Sequence, residues 1–85
     1  MKKINHVIKD KVGIHARPAG MLVSLVSKFS SQITLTKGDN AVDAKRLLAL
    51  LNMGVKYGDE ITISIDGIDE EKAAEEIQEF LKENL

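Results

Sequence analysis

The spacing of apolar residues changes period several times along the chain, and each change marks a predicted element. Ile4, His6 and Ile8 alternate with outward residues and define one face of a strand over about Lys3 to Lys9. After a loop from Asp10 to Gly13, the interval lengthens. Ala19, Leu22, Val23, Val26 and Phe29 recur at helical spacing and predict a helix over about Ala16 to Lys28. Ile33 and Leu35 then alternate with Gln32, Thr34 and Thr36, the mark of a half-buried strand. Lys37-Gly38-Asp39-Asn40 is turn chemistry, and Ala41 to Asp43 returns as a short strand. Leu47 to Met53 predicts a short helix that stops at Gly54. Ile61, Ile63 and Ile65 form the clearest strand, Asp66-Gly67 turns the chain, and Asp69 is placed to cap a last helix. That helix carries Glu70 and Glu71 at its positive end and a stripe of Ala73, Ala74, Ile77, Phe80 and Leu81.

The predicted order is βαββαβα. Each strand has one apolar face, so the sheet is expected to be antiparallel with helices on one side only. Thr34, Thr36, Thr62 and Ser64 would then face solvent. This is the α+β class, an open-faced β-sandwich: a four-stranded antiparallel sheet with three helices on one face, in a single domain over residues 1–85.

Composition narrows the functional classes. Eighty-five residues suffice for one modest core, and 44% hydrophobic with 29% charged residues is ordinary for a globular domain. Without cysteine, the chain has neither disulfides nor thiol-held metal, and no metal site or cofactor is expected. No apolar run reaches the length of a membrane span, and Met1-Lys2-Lys3-Ile4 lacks the apolar stretch of a secretory signal. A cytoplasmic location without direct membrane insertion is expected. The net charge of −1 conceals two opposed halves. Residues 1–56 hold ten Lys or Arg against three Asp, a net +7, whereas residues 57–85 hold two Lys against ten acidic side chains, a net −8. The positive half attracts anions or acidic protein faces. Nucleic acid is not the expected partner, because aromatics are 4% of the chain and no basic run exceeds two residues.

The candidate chemistry is concentrated in Gly13-Ile14-His15-Ala16-Arg17-Pro18-Ala19. Pro18, the sole proline, fits the first turn of a helix, where its missing N–H costs nothing. His15 is thereby expected at the helix N-terminus, where free amides and the dipole favour an anion. A neutral imidazole there is a nucleophile, and Arg17 supplies a guanidinium suited to phosphate oxygens. Read on spacing alone, His15 is equally a solvated cap or part of a structural anion site, since no carboxylate to orient it is visible nearby. His6 falls on the core side of its strand and reads as structural, a half-buried histidine with a hydrogen-bond partner. The second helix is apolar nearly all round. Leu50 and Met53 are expected to face the sheet, leaving Leu47, Leu48 and Leu51 as an exposed docking patch. Gly20, Ser24 and Ser27, joined by Met21, are the outward positions of the first helix.

Gly13 to Ala19 resembles the active-site segment of HPr, the histidine-containing phosphocarrier of the bacterial phosphotransferase system. Lys45 to Gly54 is similar to that family's second helix, Gly58 to Ile63 to its last strand, and Asp66-Gly67 to the turn after it. The resemblance runs in order over nearly the whole chain. It implies the open-faced sandwich, and a phosphoryl group accepted on His15 from phosphorylated enzyme I and passed to sugar-specific enzyme IIA domains. It implies that Arg17 and the start of the helix at Ala16 and Arg17 stabilise the phosphate. It also implies that the first two helices meet the partners, so Gly20, Met21, Ser24, Ser27, Leu47, Leu48 and Leu51 are the expected contacts. Such a protein is expected to be a monomeric carrier, with catalysis supplied by its partners. The alternative is an HPr-like regulatory module that controls a partner without carrying flux. One departure stands out. Many family members carry a serine, the target of a regulatory kinase, where this chain has Arg46, so that control does not carry over.

Overall fold

A computed structural model describes residues 1–85. The elements follow the expected order: β1 (Lys2–Val7), α1 (Ala16–Val26), β2 (Gln32–Lys37), β3 (Asn40–Asp43), α2 (Leu47–Asn52), β4 (Glu60–Asp66) and α3 (Glu70–Asn84). The strands form one antiparallel sheet in the order β1-β4-β2-β3. No helix is long and apolar enough to cross a membrane.

The period-two pattern fixes the register. Ile4 lies opposite Ile63, Ile33 opposite Ile65 and Leu35 opposite Ile63, so the strands' apolar residues share one face. Ile61, Ile63 and Ile65 of the central strand β4 are fully buried. Each such side chain contributes about 1.5–3 kcal/mol on burial, more than the ~0–1 kcal/mol of an exposed ion pair. The sheet's apolar face is therefore what seats the helices. Ala19, Leu22 and Val26 of α1, Leu50 of α2, and Ala73, Ile77 and Leu81 of α3 close on it. Thr34, Thr36, Thr62 and Ser64 are partly exposed on the opposite face.

Several expectations need correction. β1 ends at Val7 rather than Lys9, because the chain there bonds to neighbours outside the sheet. Ile8 exchanges backbone hydrogen bonds with Gly58 and Asp59, and the N–H groups of Lys9 and Asp10 both donate to the main-chain oxygen of Leu85. α1 ends at Val26 rather than Lys28, because its last turn tightens: Lys28 donates to Leu25 and Phe29 to Val26, each three residues back. α2 likewise ends at Asn52, with Met53 bonded to Leu50. Asp69 occupies the N-cap of α3 but makes no side-chain cap bond. Its carboxylate instead accepts the N–H and hydroxyl of both Ser30 and Ser31 across the fold. His6 faces the core side as expected, yet its buried Nε2 has no hydrogen-bond partner. Ala74 and Phe80 are only partly buried at the edge of the α3 stripe.

Candidate functional site

The loop 8–14 is fastened before the helix begins. Ile14 donates its N–H to the Val55 carbonyl at 3.1 Å, and the Asp10 carboxylate accepts the N–H groups of Val12 and Gly13, each at 3.1 Å. Gly13 has φ 81° and lies directly on the backbone of Val55 and Lys56, a conformation and an approach that exclude a side chain. The strapped loop delivers His15 in an extended conformation (φ −129°, ψ −175°) as the N-cap of α1.

At this position the His15 carbonyl accepts the first helical bond, from Ala19 at 3.0 Å. Its ring caps nothing, so the side chain is free for other chemistry. Pro18 is buried in the first turn and has no N–H. The free donors at the start of α1 are therefore the amides of Ala16 and Arg17, and neither meets an acceptor in the protein. The Arg17 side chain is exposed and forms no ion pair or hydrogen bond. Two amides and a guanidinium thus stand unengaged beside a histidine ring whose side chain is 42% exposed. That set of groups suits a phosphate dianion.

One carboxylate was not expected. Asp10 Oδ2 lies 3.9 Å from His15 Nε2. In the sequence Asp10 reads as a loop residue five positions ahead of the histidine, and only the folded-back loop brings the two together. Val12 and Tyr57, also unmarked by the sequence pattern, are each 65% exposed on this loop and on the segment that holds it.

The expected docking positions divide into groups. Leu48 is 73% exposed and Leu47 40%, and α2 packs beside α1. Leu51 is a partial correction: it is half-buried and packs against the core, so the exposed patch is smaller than expected. Leu50 is fully buried and Met53 partly so, in keeping with their expected place. Ser24 and Ser27 are exposed, and Gly20 is half-exposed with open space where a Cβ would stand. Met21 is exposed but lines a shallow groove with Leu25 and Phe80, rimmed by Glu76, Glu79 and Glu83, on the α3 flank of α1. Arg46 is the exposed N-cap of α2 and has no ionic partner. Its neighbour Lys45 folds away, donating from Nζ to the Phe29 carbonyl at 2.7 Å.

Known proteins share this fold. A family model described as the PTS HPr component phosphorylation site matches residues 2–83. The chain belongs to the HPr family. It is 45% identical to the phosphocarrier protein HPr of Mycoplasma genitalium over 85 residues, covering 99% of this chain and 97% of that one. Among solved structures, an HPr from Thermoanaerobacter tengcongensis superposes with a TM-score of 0.91 at 39% identity, covering 96% of this chain and 92% of the other. A second structure from that organism, described as an HPr dimer, matches with a TM-score of 0.77 at 38% identity, covering 98% and 95%. HPr proteins are phosphocarriers of the phosphotransferase system, so family membership bears directly on what the unengaged groups around His15 are for.

Proposed function

We propose that this HPr-family protein accepts a phosphoryl group on His15 from phosphorylated enzyme I and passes it to sugar-specific enzyme IIA domains, acting as a cytoplasmic monomer. The observation that carries the reading is the exposed His15 ring at the N-cap of α1, next to the unengaged Ala16 and Arg17 amides and the Arg17 guanidinium. Asp10 beside Nε2 makes Nδ1 the ring nitrogen suited to the phosphoryl group, since a dianion on Nε2 would meet a carboxylate. The Nδ1 lone pair attacks phosphorus, and the bond to the donor breaks with its electron pair leaving on the donor. Helix-end amides and Arg17 then offset the charge on the phosphoryl oxygens. The holding is modest by design of the site: an exposed helix end supplies only about 0.3–1 kcal/mol. A carrier has to release what it accepts, and a deep clamp would trap it.

Leu47, Leu48, Gly20, Ser24 and Ser27 form the surface proposed to meet both partners, with half-buried Leu51 behind it and Met21 at its α3 edge. Arg46 offers no hydroxyl, so the serine-kinase control known elsewhere in the family has no target at that position. The test is incubation with enzyme I and phosphoenolpyruvate followed by intact-mass measurement. One acid-labile phosphoryl group on the wild type, none on His15→Ala and slower uptake by folded Arg17→Ala is the expected result. Full labelling of His15→Ala refutes the assignment.

A further inference from the structure

We propose that Asp10 is a positioning residue for His15: it holds the ring proton on Nε2 while Nδ1 takes and gives the phosphoryl group. The proposal rests on the phosphocarrier reading above and adds to it the group that prepares the ring.

The geometry is specific. Asp10 Oδ2 stands 3.9 Å from His15 Nε2, too far for a hydrogen bond in this arrangement and close enough for its charge to act. The carboxylate is not free to turn elsewhere. Oδ2 accepts the N–H groups of Val12 and Gly13, and the Asp10 N–H is itself donated to the Leu85 main-chain oxygen. The ring's backbone is equally fixed, because His15 is the N-cap of α1 and the residue before it is bonded to Val55. No lysine or arginine pairs with Asp10, so the His15 ring is the only ionisable side chain in ion-pair range of its carboxylate.

A neutral imidazole carries its proton on one nitrogen and a lone pair on the other. A carboxylate beside Nε2 favours the form protonated there, which leaves the lone pair on Nδ1. When Nδ1 attacks, a nitrogen–phosphorus bond forms and the donor leaves with the old bond's electron pair. The ring keeps its Nε2 proton and becomes a phosphoimidazolium with a formal positive charge, which Asp10 offsets. On delivery the nitrogen–phosphorus bond breaks and its pair returns to Nδ1. The Nε2 proton stays in place throughout, so neither step needs a separate base. The labour is divided: the Ala16 and Arg17 amides and the guanidinium attend to the phosphoryl oxygens, and Asp10 attends to the ring.

The test separates this charge from the loop it also holds. Asp10→Asn keeps an oxygen to accept the Val12 and Gly13 N–H groups and removes the charge, whereas Asp10→Ala removes both. His15 ring nitrogen shifts, recorded by NMR at alkaline pH where an imidazole is neutral, report which nitrogen carries the proton. Phosphorylation by enzyme I and phosphoenolpyruvate is followed by mass. In the wild type the ring is expected as the Nε2–H form. In Asp10→Asn the Val12 and Gly13 amide signals stay in place, the ring shifts move toward a mixture of forms, and phosphoryl uptake and return both slow about fivefold, the upper end for an exposed charge pair. An Nδ1–H ring in the wild type overturns the proposal. So do unchanged ring shifts and rates in Asp10→Asn, or a slowing accompanied by displaced loop amides, which would assign the effect to the loop. Failure of the wild type to be phosphorylated on His15 would instead remove the carrier reading and the role built on it, while the ring shifts report the Asp10 contact independently.

Discussion

Gly13→Ala is expected to destabilise the protein well beyond the usual effect of replacing a glycine in a turn. At φ 81° an L-residue is strained by about 1–2 kcal/mol. A methyl there would also stand 2.7 Å from Lys56 Cα and 3.2 Å from its carbonyl carbon, besides meeting the Val55 carbonyl oxygen. These are backbone atoms of the strapping segment, so no rotamer change relieves the clash. The loop must lift, releasing the Ile14 N–H from Val55 at a net loss of about 1 kcal/mol. Partial exposure of Ile14, which is 7% exposed in the fold, adds about 1 kcal/mol more. The expected total is about 3–4 kcal/mol, which for a domain of this size lowers the melting temperature by roughly 12–30 °C. Gly54→Ala is the control. Its φ of 67° carries the same backbone penalty, but a Cβ there meets nothing within 4 Å, so its expected loss is that penalty alone, about 1–2 kcal/mol. Thermal and urea unfolding followed by circular dichroism measure both. A Gly13→Ala variant no less stable than Gly54→Ala would refute the steric argument and the view that this loop is held by Val55 and Lys56.

Two further outcomes follow from groups outside that loop. The Ser31 hydroxyl, with the N–H groups of Ser30 and Ser31, holds the Asp69 carboxyl at about 2, below its ordinary 3.8. A depressed folded value stabilises the fold above the unfolded value and loses that contribution as protons bind. Wild-type stability should therefore fall between about pH 4 and pH 2, and Asp69→Asn should show a shallower fall over the same window; identical slopes in pH-dependent melts would discount the contact. Leu48→Asp should leave the melting temperature near wild type, because the side chain is 73% exposed, yet slow phosphoryl exchange with enzyme I and enzyme IIA by about fivefold or more at low partner concentration. Leu50→Asp, fully buried two residues on, should unfold the protein, and exchange by Leu48→Asp at the wild-type rate would dismiss the docking patch.

The sequence was most informative where a pattern is local and repeated. Ile61, Ile63 and Ile65 declared β4 and its inward face, and Ala19, Leu22 and Val26 declared the buried side of α1, because period and burial are the same fact in a strand or a helix. His15 at the helix start was legible through Pro18, whose conformational limits act on its immediate neighbours. What periodicity could not reveal were partners far apart in the chain. Asp69 reads as a helix cap from its neighbours, but its carboxylate meets Ser30 and Ser31, thirty-nine and thirty-eight residues away. Asp10 reads as a turn residue until the loop folds back on His15. Leu51 belongs to an all-apolar helix in which spacing alone does not say which leucines the core will claim. His6 was assigned its side of the sheet correctly, while the missing partner of its Nε2 depends on every element packed around it.

The donors left over at the start of α1 are main-chain atoms. An alanine scan cannot remove the amides of Ala16 and Arg17, and Arg17→Ala deletes a guanidinium while leaving the amide of the same residue in place. Side-chain mutagenesis is therefore blind to half of this site and will assign its contribution to whichever neighbours happen to be substitutable. The same property makes these two donors independent of the side chains at positions 16 and 17: they persist so long as Pro18 and the strapped loop hold the start of the helix. Replacing the amide of Ala16 or Arg17 by an ester exchanges that N–H for an oxygen and weakens the preceding carbonyl as an acceptor. For Ala16 that is the His15 carbonyl, which takes the first helical bond. With that cost allowed for, the ester is the substitution that makes these hidden donors visible.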